Sequence, residues 1–180
     1  FNLSPILRLF FQVIFASIMW SLGTNIQIVD IHFLNLNVDH FILNNSLSLV
    51  ITVIWIVGLI NAINWMDGLD GLLAGCAVIY CIGFCLISFK SGNLNTFYTS
   101  AFLALSLLAF LSQNFYPAKI IMGDGGSNFV GYCLSLISLK SNYSSNFFES
   151  VIDLNSNNHI INPIYPLLIL FIPVFDMIKV

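Results

Sequence analysis

Six apolar runs follow one another along the chain, and a polar segment separates each run from the next. The runs are 5–23, 46–63, 72–89, 96–111, 128–139 and 160–175. A helix needs about 20 residues, within a range of about 17–25, to cross a bilayer, and most of these runs approach that length. The pattern predicts an all-α protein, a polytopic transmembrane helical bundle with about six spans.

The segment 24–45 differs from its neighbours, because apolar and polar residues alternate in part of it. Ile26 and Ile28 begin the alternation, and Asp30 and Asp39 add charge. Alternation of this kind is typical of a strand with one exposed face. We therefore expect a short extended segment near residues 24–45, outside the membrane.

The first informative polar segment separates the second and third runs and reads Asn-x-x-Asn-x-x-Asp-Gly-Leu-Asp-Gly-Leu over residues 61–72. An ionisable group at membrane depth costs about 2.5–3.5 kcal/mol, so such residues are rare and usually functional. At about 100° per residue, one unbroken helix would place Asn61 and Asp70 on opposite sides. We expect the helix to break near Asp67-Gly68, with Gly68 and Gly71 letting the backbone turn. A plain polar loop between two spans is the alternative.

The second informative segment, 112–127, ends in a glycine-rich stretch just before the fifth run. Gly123, Gly125 and Gly126 surround the single carboxylate Asp124, and Ser127 is expected to cap the next helix. Backbone N–H groups in such turns bind anions, and Mg²⁺ often joins one or two carboxylates to substrate phosphates. We expect Asp124 to hold such a cation, with a tight capping turn as the alternative. The fifth run reaches spanning length only if its helix begins inside this stretch.

Because consecutive spans cross the membrane in opposite directions, the polar segments that connect them lie alternately on its two faces. The chain start, 61–71, 112–127 and the end of the last run fall on the same face. Its acidic residues are Asp67, Asp70, Asp124 and Asp176. Three of the five basic residues share that face, which favours a cytoplasmic location for it. The four carboxylates are therefore predicted to converge at one surface.

Composition supports a membrane protein and excludes one class of partner. The chain is 58% hydrophobic and 7% charged, whereas soluble proteins carry about 25% charged residues. Five basic residues without a basic patch argue against a nucleic-acid partner. The four cysteines form no Cys-x-x-Cys pair and are expected to pack as small apolar side chains. We expect residues 1–180 to be one integral-membrane domain, truncated at both ends.

The two polar segments together resemble a known family. Asn-x-x-Asn-x-x-Asp-Gly-Leu-Asp-Gly-Leu is followed by Asn-x-x-Pro-Ala-x-x-x-Met-Gly-Asp-x-Gly-Ser over 114–127, and 4–12 and 173–176 add shorter matches. This combination resembles the polyprenyl-phosphate N-acetylhexosamine-1-phosphate transferases, bacterial glycosyltransferase family 4. UDP-GlcNAc:undecaprenyl-phosphate GlcNAc-1-phosphate transferases and the phospho-MurNAc-pentapeptide translocase are members.

The resemblance implies a reaction and its participants. A HexNAc-1-phosphate, by preference GlcNAc-1-phosphate, would pass from a UDP-sugar to a membrane polyprenyl (undecaprenyl) phosphate with release of UMP, the first step of cell-surface glycan synthesis. The implied setting is the bacterial inner membrane, multi-pass, with the active face cytoplasmic. The lipid bilayer is thus an expected partner, and whether the protein forms a homodimer is left open.

The resemblance also implies site residues. Asp67, Asp70 and Asp124 would be catalytic, and Asp124 would hold Mg²⁺, with Mn²⁺ as an alternative. The implied substrate-binding residues are Asn61, Asn64, Gly68, Leu69, Asn114, Gly123 and Asp176. The family often has Phe where this chain has Ile121, at a position associated with uracil stacking. A paired-Asp motif before residue 1 and a His-rich loop after Asp176 would complete the site.

Other interpretations stay open from the sequence. Phospho-MurNAc-pentapeptide transfer is the alternative within the family. A CDP-alcohol phosphotransferase would need Ala-Arg shortly after the first Asp-Gly, whereas Leu-Leu-Ala-Gly stands at 72–75. A transporter using the Asp cluster as a coupling site, or a non-catalytic remnant, would belong to different classes.

Overall fold

The computed structural model describes residues 4–30, 40–141, 160–161, 166, 169–171, 173 and 175. Helices dominate this part of the chain, as predicted. They are α1 (Pro5–Ser21), α2 (Asn45–Trp65), α3 (Leu72–Lys90), α4 (Leu94–Asn114) and α5 (Gly123–Ser141). Three strands of two or three residues accompany them: β1 (Ile28–Asp30), β2 (His40–Ile42) and β3 (Ile160–Ile161). The sixth predicted run lies largely outside the described residues.

Three of the described helices are long and apolar enough to cross a membrane, judged by length and composition. They are α2, α3 and α4, with 21, 19 and 21 residues. The apolar helix α1 is shorter, with 17 residues. The predicted count of six spans is therefore not confirmed by the residues that the structure describes.

The extended segment is confirmed where it is described. β1 pairs antiparallel with β2, so that Ile28 lies opposite Ile42, and β1 pairs in parallel with β3. This small sheet follows the end of α1 and precedes the start of α2. It thus lies at the opposite end of α2 from the polar segment 61–72.

The predicted break after α2 is also confirmed. The helix ends at Trp65, and Met66 closes it by donating its backbone N–H to the Ile63 carbonyl at 3.1 Å. Of the two glycines expected to turn the chain, only Gly71 has a positive φ, +74°. A left-handed residue at this point lets the backbone reverse before α3 begins.

The helices pack as two close pairs, α3 with α4 and α2 with α5. The α2–α5 pair is antiparallel, because Trp55 Nε1 donates to Ser138 Oγ at one end and Asn64 Nδ2 donates to Ser127 Oγ at the other. The backbones approach most closely at Gly131, where an added Cβ would lie 2.8 Å from Ile60 Cα. This packing carries the start of α5 to the end of α2.

Helix α1 lies across this pair and runs parallel to α5. Phe15 makes an edge contact with Tyr132, with ring centroids 6.5 Å apart, and Trp20 Nε1 donates to Ser48 Oγ at 3.1 Å. The outer faces of α3 and α4 expose large apolar side chains such as Ile79 and Phe102. Exposed apolar faces of this kind suit contact with lipid chains.

Candidate active site

Polar side chains from the end of α2 and the start of α5 meet at one end of the bundle. Asn64 Nδ2 donates to Ser127 Oγ at 2.7 Å and approaches Asp124 Oδ1 at 3.5 Å. Three residues after Asn64, Asp67 lies close enough to α5 to interact with Gly123 and Asp124. The predicted convergence of the two motifs is thus observed for these residues.

Two carboxylates lie close together at this point. Burial raises the pKa of Asp67 above its ordinary value, and the negative charge of Asp124 adds to the rise. A hydrogen bond from the Gly123 backbone N–H acts in the opposite direction and lowers that pKa. The pair therefore concentrates negative charge, an arrangement that a bound cation would relieve.

A cationic side chain of the protein already contacts one member of this pair, Asp124. Arg8 Nη1 donates to Asp124 Oδ2 at 2.7 Å, with the Arg8 side chain one-third exposed. Sequence reasoning did not select Arg8 as a site residue. The available signal was that Arg8 is the only arginine of the chain and lies inside an apolar run.

The loop between α4 and α5 is tied to the turn between α2 and α3. Asp70 Oδ2 accepts from the Ala118 N–H at 3.1 Å. The buried side chain of Asn114 accepts from the Gly71 N–H at 3.1 Å and donates to the Ile120 carbonyl at 2.9 Å. Asp70 and Asn114 thus hold the two motif segments against each other, and they shape the site through the backbone.

The other predicted site residues occupy two kinds of position. Leu69 is 70% exposed on the α2–α3 turn beside Gly68, which leaves both accessible. Asn61 points to α1 instead, because its Nδ2 donates to Gln12 Oε1 at 2.9 Å and to the Val57 carbonyl. Asp176 lies outside the described residues.

The start of α5 corrects one expectation. Ser127 was predicted to cap the helix, but α5 begins at Gly123, so Ser127 lies within its second turn. The glycine-rich stretch itself forms the first turn, and the Ser127 hydroxyl donates back to the Gly123 carbonyl at 3.0 Å. The condition under which the fifth run would be long enough is thus met, because the helix begins inside the glycine-rich stretch and has 19 residues. The earlier start also places Asp124 in the first helical turn, where a negative charge is favourable.

The residues present suit a metal ion shared with a substrate. Among the residues that the structure describes, no group of three or more His, Cys, Asp or Glu side chains is placed to hold a metal. Asp67 and Asp124, with the amide of Asn64, offer oxygen ligands of the kind that Mg²⁺ prefers. Mg²⁺ commonly binds through one or two carboxylates and completes its shell with substrate phosphates and water. This site fits that arrangement.

An apolar groove of about 360 Å³ opens beside the carboxylates, between α1, α2 and α5. It is lined by Arg8, Phe11, Gln12, Phe15, Ile60, Asn128, Phe129 and Tyr132. Because Arg8 both lines the groove and pairs with Asp124, the groove leads directly to the charged site.

Comparison with known proteins agrees with this geometry. The sequence model described as "Glycosyl transferase family 4" matches residues 1–142. A Bacillus subtilis relative named "Probable undecaprenyl-phosphate N-acetylglucosaminyl 1-phosphate transferase" is 35% identical over 126 residues, 70% of this chain and 32% of the relative. The Haemophilus influenzae "Undecaprenyl-phosphate alpha-N-acetylglucosaminyl 1-phosphate transferase" is 33% identical over 193 residues, 100% of this chain and 48% of the relative. A Clostridium botulinum "Phospho-N-acetylmuramoyl-pentapeptide-transferase" is 40% identical over 68 residues, 38% of this chain and 21% of the relative.

These findings, with the membrane-capable helices, define the chain as a helical membrane protein. The chain belongs to glycosyl transferase family 4, whose model matches well over half of its length. The resemblance drawn from the two motifs is therefore confirmed. The chain spans half or less of the length of the curated relatives that it matches, with 32% and 48% of the first two covered.

Proposed function

We propose that the full-length protein transfers a HexNAc-1-phosphate, by preference GlcNAc-1-phosphate, from a UDP-sugar to a membrane polyprenyl phosphate, with release of UMP. The printed names of the Bacillus and Haemophilus relatives support this acceptor and this sugar. The observation that carries the proposal is the convergence of Asp67, Asp124 and Arg8 at one end of the bundle. Carboxylates and a guanidinium beside an apolar groove suit a reaction between a diphosphate and a lipid phosphate.

The reaction depends on the positioning of the two substrates and the neutralisation of their charge more than on a protein nucleophile. An oxygen of the acceptor phosphate, already anionic, forms a bond to the β-phosphorus of the UDP-sugar. The bond between that phosphorus and the bridging oxygen breaks, and UMP leaves with the electron pair. The obstacle is the mutual repulsion of two anions, which cationic groups reduce.

Different residues of the site would contribute to charge neutralisation and to substrate positioning. Asp124 and Asp67 would hold Mg²⁺, which would neutralise and orient the diphosphate of the donor. The Arg8 guanidinium, which now pairs with Asp124, would contact a phosphate oxygen of a substrate once that pair separates. Asp70 and Asn114 keep the loop before α5 in place, while Asn64, Gly68, Leu69 and Gly123 line the donor side. Asp176 keeps its predicted role as a substrate-binding residue.

The groove between α1, α2 and α5 supports the lipid acceptor. Its wall is largely aromatic, with Phe11, Phe15 and Phe129 beside Tyr132, and its charged end is Arg8. An isoprenoid chain in the groove would place its phosphate beside Arg8 and the carboxylates. This arrangement fits an inner-membrane protein whose active face is cytoplasmic, where UDP-sugars are available.

The test is a transfer assay on the full-length protein in detergent, with labelled UDP-GlcNAc, undecaprenyl phosphate and Mg²⁺. Asp124→Asn and Asp67→Asn are expected to lower the rate by at least about 100-fold, because each removes charge from the site. Asp30→Asn, a change in strand β1 rather than in either motif, is the matched control. Wild-type transfer rates in both site variants would refute the assignment.

Phospho-MurNAc-pentapeptide transfer is the second candidate, because the Clostridium relative with that name shares 40% identity over 68 residues. The same assay with UDP-MurNAc-pentapeptide as donor separates the two candidates. We expect product with UDP-GlcNAc and none with the pentapeptide donor, and the reverse pattern would exchange the two functions.

A further inference from the structure

Three amide side chains form a continuous hydrogen-bonded row across α1, α2 and α5. Asn61 Nδ2 donates to Gln12 Oε1 at 2.9 Å, and Gln12 Nε2 donates to Asn128 Oδ1 at 3.2 Å. Asn128 Nδ2 in turn donates to the backbone carbonyl of Asp124 at 2.6 Å. The row therefore starts on α2, passes through α1 and ends at the residue that pairs with Arg8.

The central member of this row lies one helical turn from Arg8. Gln12 follows Arg8 by four residues, so both side chains project from the same face of α1. Both line the apolar groove, where Gln12 and Asn128 are polar groups among aromatic side chains. Any rotation of α1 about its axis that moved Arg8 away from Asp124 would also break the two hydrogen bonds of Gln12.

An apolar residue would serve packing at least as well as a glutamine at this contact. Elsewhere the α1 interface includes Ala16, which is fully buried, the Phe15–Tyr132 edge contact and the Trp20–Ser48 hydrogen bond. An amide placed in partly buried surroundings must keep its partners, because an unpaired polar group there is costly. Gln12 accordingly restricts α1 to the rotation at which the Gln12 side chain reaches both Asn61 and Asn128.

We propose that Gln12 is a positioning residue, which sets the rotation of α1 so that the Arg8 guanidinium meets the Asp124 carboxylate. Its effect on transfer rests on the proposed function, whereas its effect on the Arg8–Asp124 distance does not. The two consequences are measured separately.

The first measurement is geometric and needs no catalysis. Arg8→Cys and Asp124→Cys are combined in the full-length protein, and cross-linking of the two thiols in membranes is followed with a bifunctional thiol reagent about as long as the two side chains that it replaces. Gln12→Leu in this background is expected to lower the yield of this cross-link several-fold, because α1 is freed to rotate. Gln27→Leu, the same change in the segment between α1 and β1, is expected to leave the yield unchanged. An equal yield with Gln12→Leu would overturn the proposal.

The second measurement is a double-mutant cycle on kcat/KM for transfer. Gln12→Leu is expected to lower kcat/KM about tenfold in the wild type and less than about twofold in an Arg8→Ala background, because residues acting through one group are not additive. Full additivity would show that Gln12 does not act through Arg8 and would overturn the proposal. If neither the wild type nor any variant transfers sugar phosphate, the proposed function fails, and the cross-link yield alone decides the role of Gln12.

Gln12→Glu separates positioning from a general loss of stability. A carboxylate four residues from Arg8 can capture the guanidinium itself and draw it from Asp124. Gln12→Glu is therefore expected to lower kcat/KM more than Gln12→Leu does, and this extra loss is expected to vanish in the Arg8→Ala background. An extra loss that persists without Arg8 would contradict the proposed role.

Discussion

The close contact at Gly131 makes a sharp prediction about how the site is held together. A Cβ at this position would lie 2.8 Å from Ile60 Cα, 3.2 Å from the Ile60 carbonyl oxygen and 3.3 Å from Ile63 Cβ. Carbon atoms in favourable contact lie about 3.5–4.0 Å apart, so Gly131→Ala must push the α2 and α5 backbones apart by roughly 0.7–1.2 Å. No flexible side chain can absorb the displacement, because two of the three contacts are with backbone atoms.

The expected magnitude follows from two opposing effects. Alanine is favoured over glycine inside a helix by about 1 kcal/mol, whereas overpacking of a close contact costs about 1–3 kcal/mol. We expect a net destabilisation of about 0–2 kcal/mol. Asp124 lies seven residues before Gly131 on the same helix, and a misplacement of about 1 Å can cost about 100-fold in rate. The transfer rate should therefore fall by about 10- to 100-fold.

The assay compares Gly131→Ala with Gly58→Ala in the full-length protein in detergent. Gly58 lies in α2, and a Cβ there would meet nothing within 4 Å, so its replacement should be neutral or slightly stabilising. Thermal unfolding followed by fluorescence gives the stability of each variant, and labelled UDP-GlcNAc gives the transfer rate. If Gly131→Ala proved as stable and as active as Gly58→Ala, the close packing of α2 on α5 would not be what positions the site.

Three further predictions concern the site itself. Asp67→Asn should raise thermal stability above pH 3.8, the ordinary pKa of this carboxyl group, because the raised pKa of Asp67 means that the folded wild type loses stability as pH rises from that value. The unfolding midpoints of wild type and variant should therefore differ more at pH 7 than at pH 4, and an equal difference at both pH values would contradict this. Asn114→Ala should lower stability by about 1–3 kcal/mol, because the Gly71 N–H and the Ile120 carbonyl lose their partner; an unchanged midpoint in chemical denaturation would speak against the link. Ile121→Phe should lower the KM for UDP-GlcNAc several-fold, since Ile121 is 78% exposed beside the site and an aromatic ring there could stack on uracil. An unchanged or higher KM would count against uracil binding at this position.

Much of the helical framework could be predicted from hydropathy alone. The ends of α2 and α3 lie within about two residues of the predicted runs, because polar segments border both runs sharply. The start of α5 was harder to place, since its first turn consists of three glycines and Asp124 and does not look like part of an apolar span. There the backbone conformation of a glycine-rich turn decides the boundary, and composition does not reveal it.

The meeting of the two motifs could be predicted, but their detailed contacts could not. Alternate crossing of the membrane places Asp67 and Asp124 at the same end of the bundle, whatever the helix rotations are. The Arg8–Asp124 pair joins residues 116 positions apart, and the Gln12–Asn61 bond joins residues 49 positions apart. Both contacts depend on how α1 is rotated against its neighbours, which the amino-acid pattern of an apolar helix leaves undetermined.

The roles of Asp70 and Asn61 illustrate the same limit. Motif spacing grouped them with Asp67 and Asn64, as four polar residues at intervals of three. In the structure, Asp70 accepts from the Ala118 N–H and Asn61 binds Gln12, so both make contacts that hold segments of the protein together. A regular polar spacing predicts that residues lie near one another, and the backbone turn at Gly71 then decides which partner each one reaches.

The central claim is that Asp67 and Asp124 act as one unit on the UDP-sugar, and a double-mutant cycle tests it most directly. UMP release from UDP-GlcNAc would be measured for Asp67→Asn, Asp124→Asn and the double variant, with undecaprenyl phosphate and Mg²⁺ present. Residues that act as a unit are strongly non-additive, so the double variant should be about as slow as the slower single variant. A double variant whose loss equals the product of the two single losses would show that the carboxylates act independently, and would contradict the shared site.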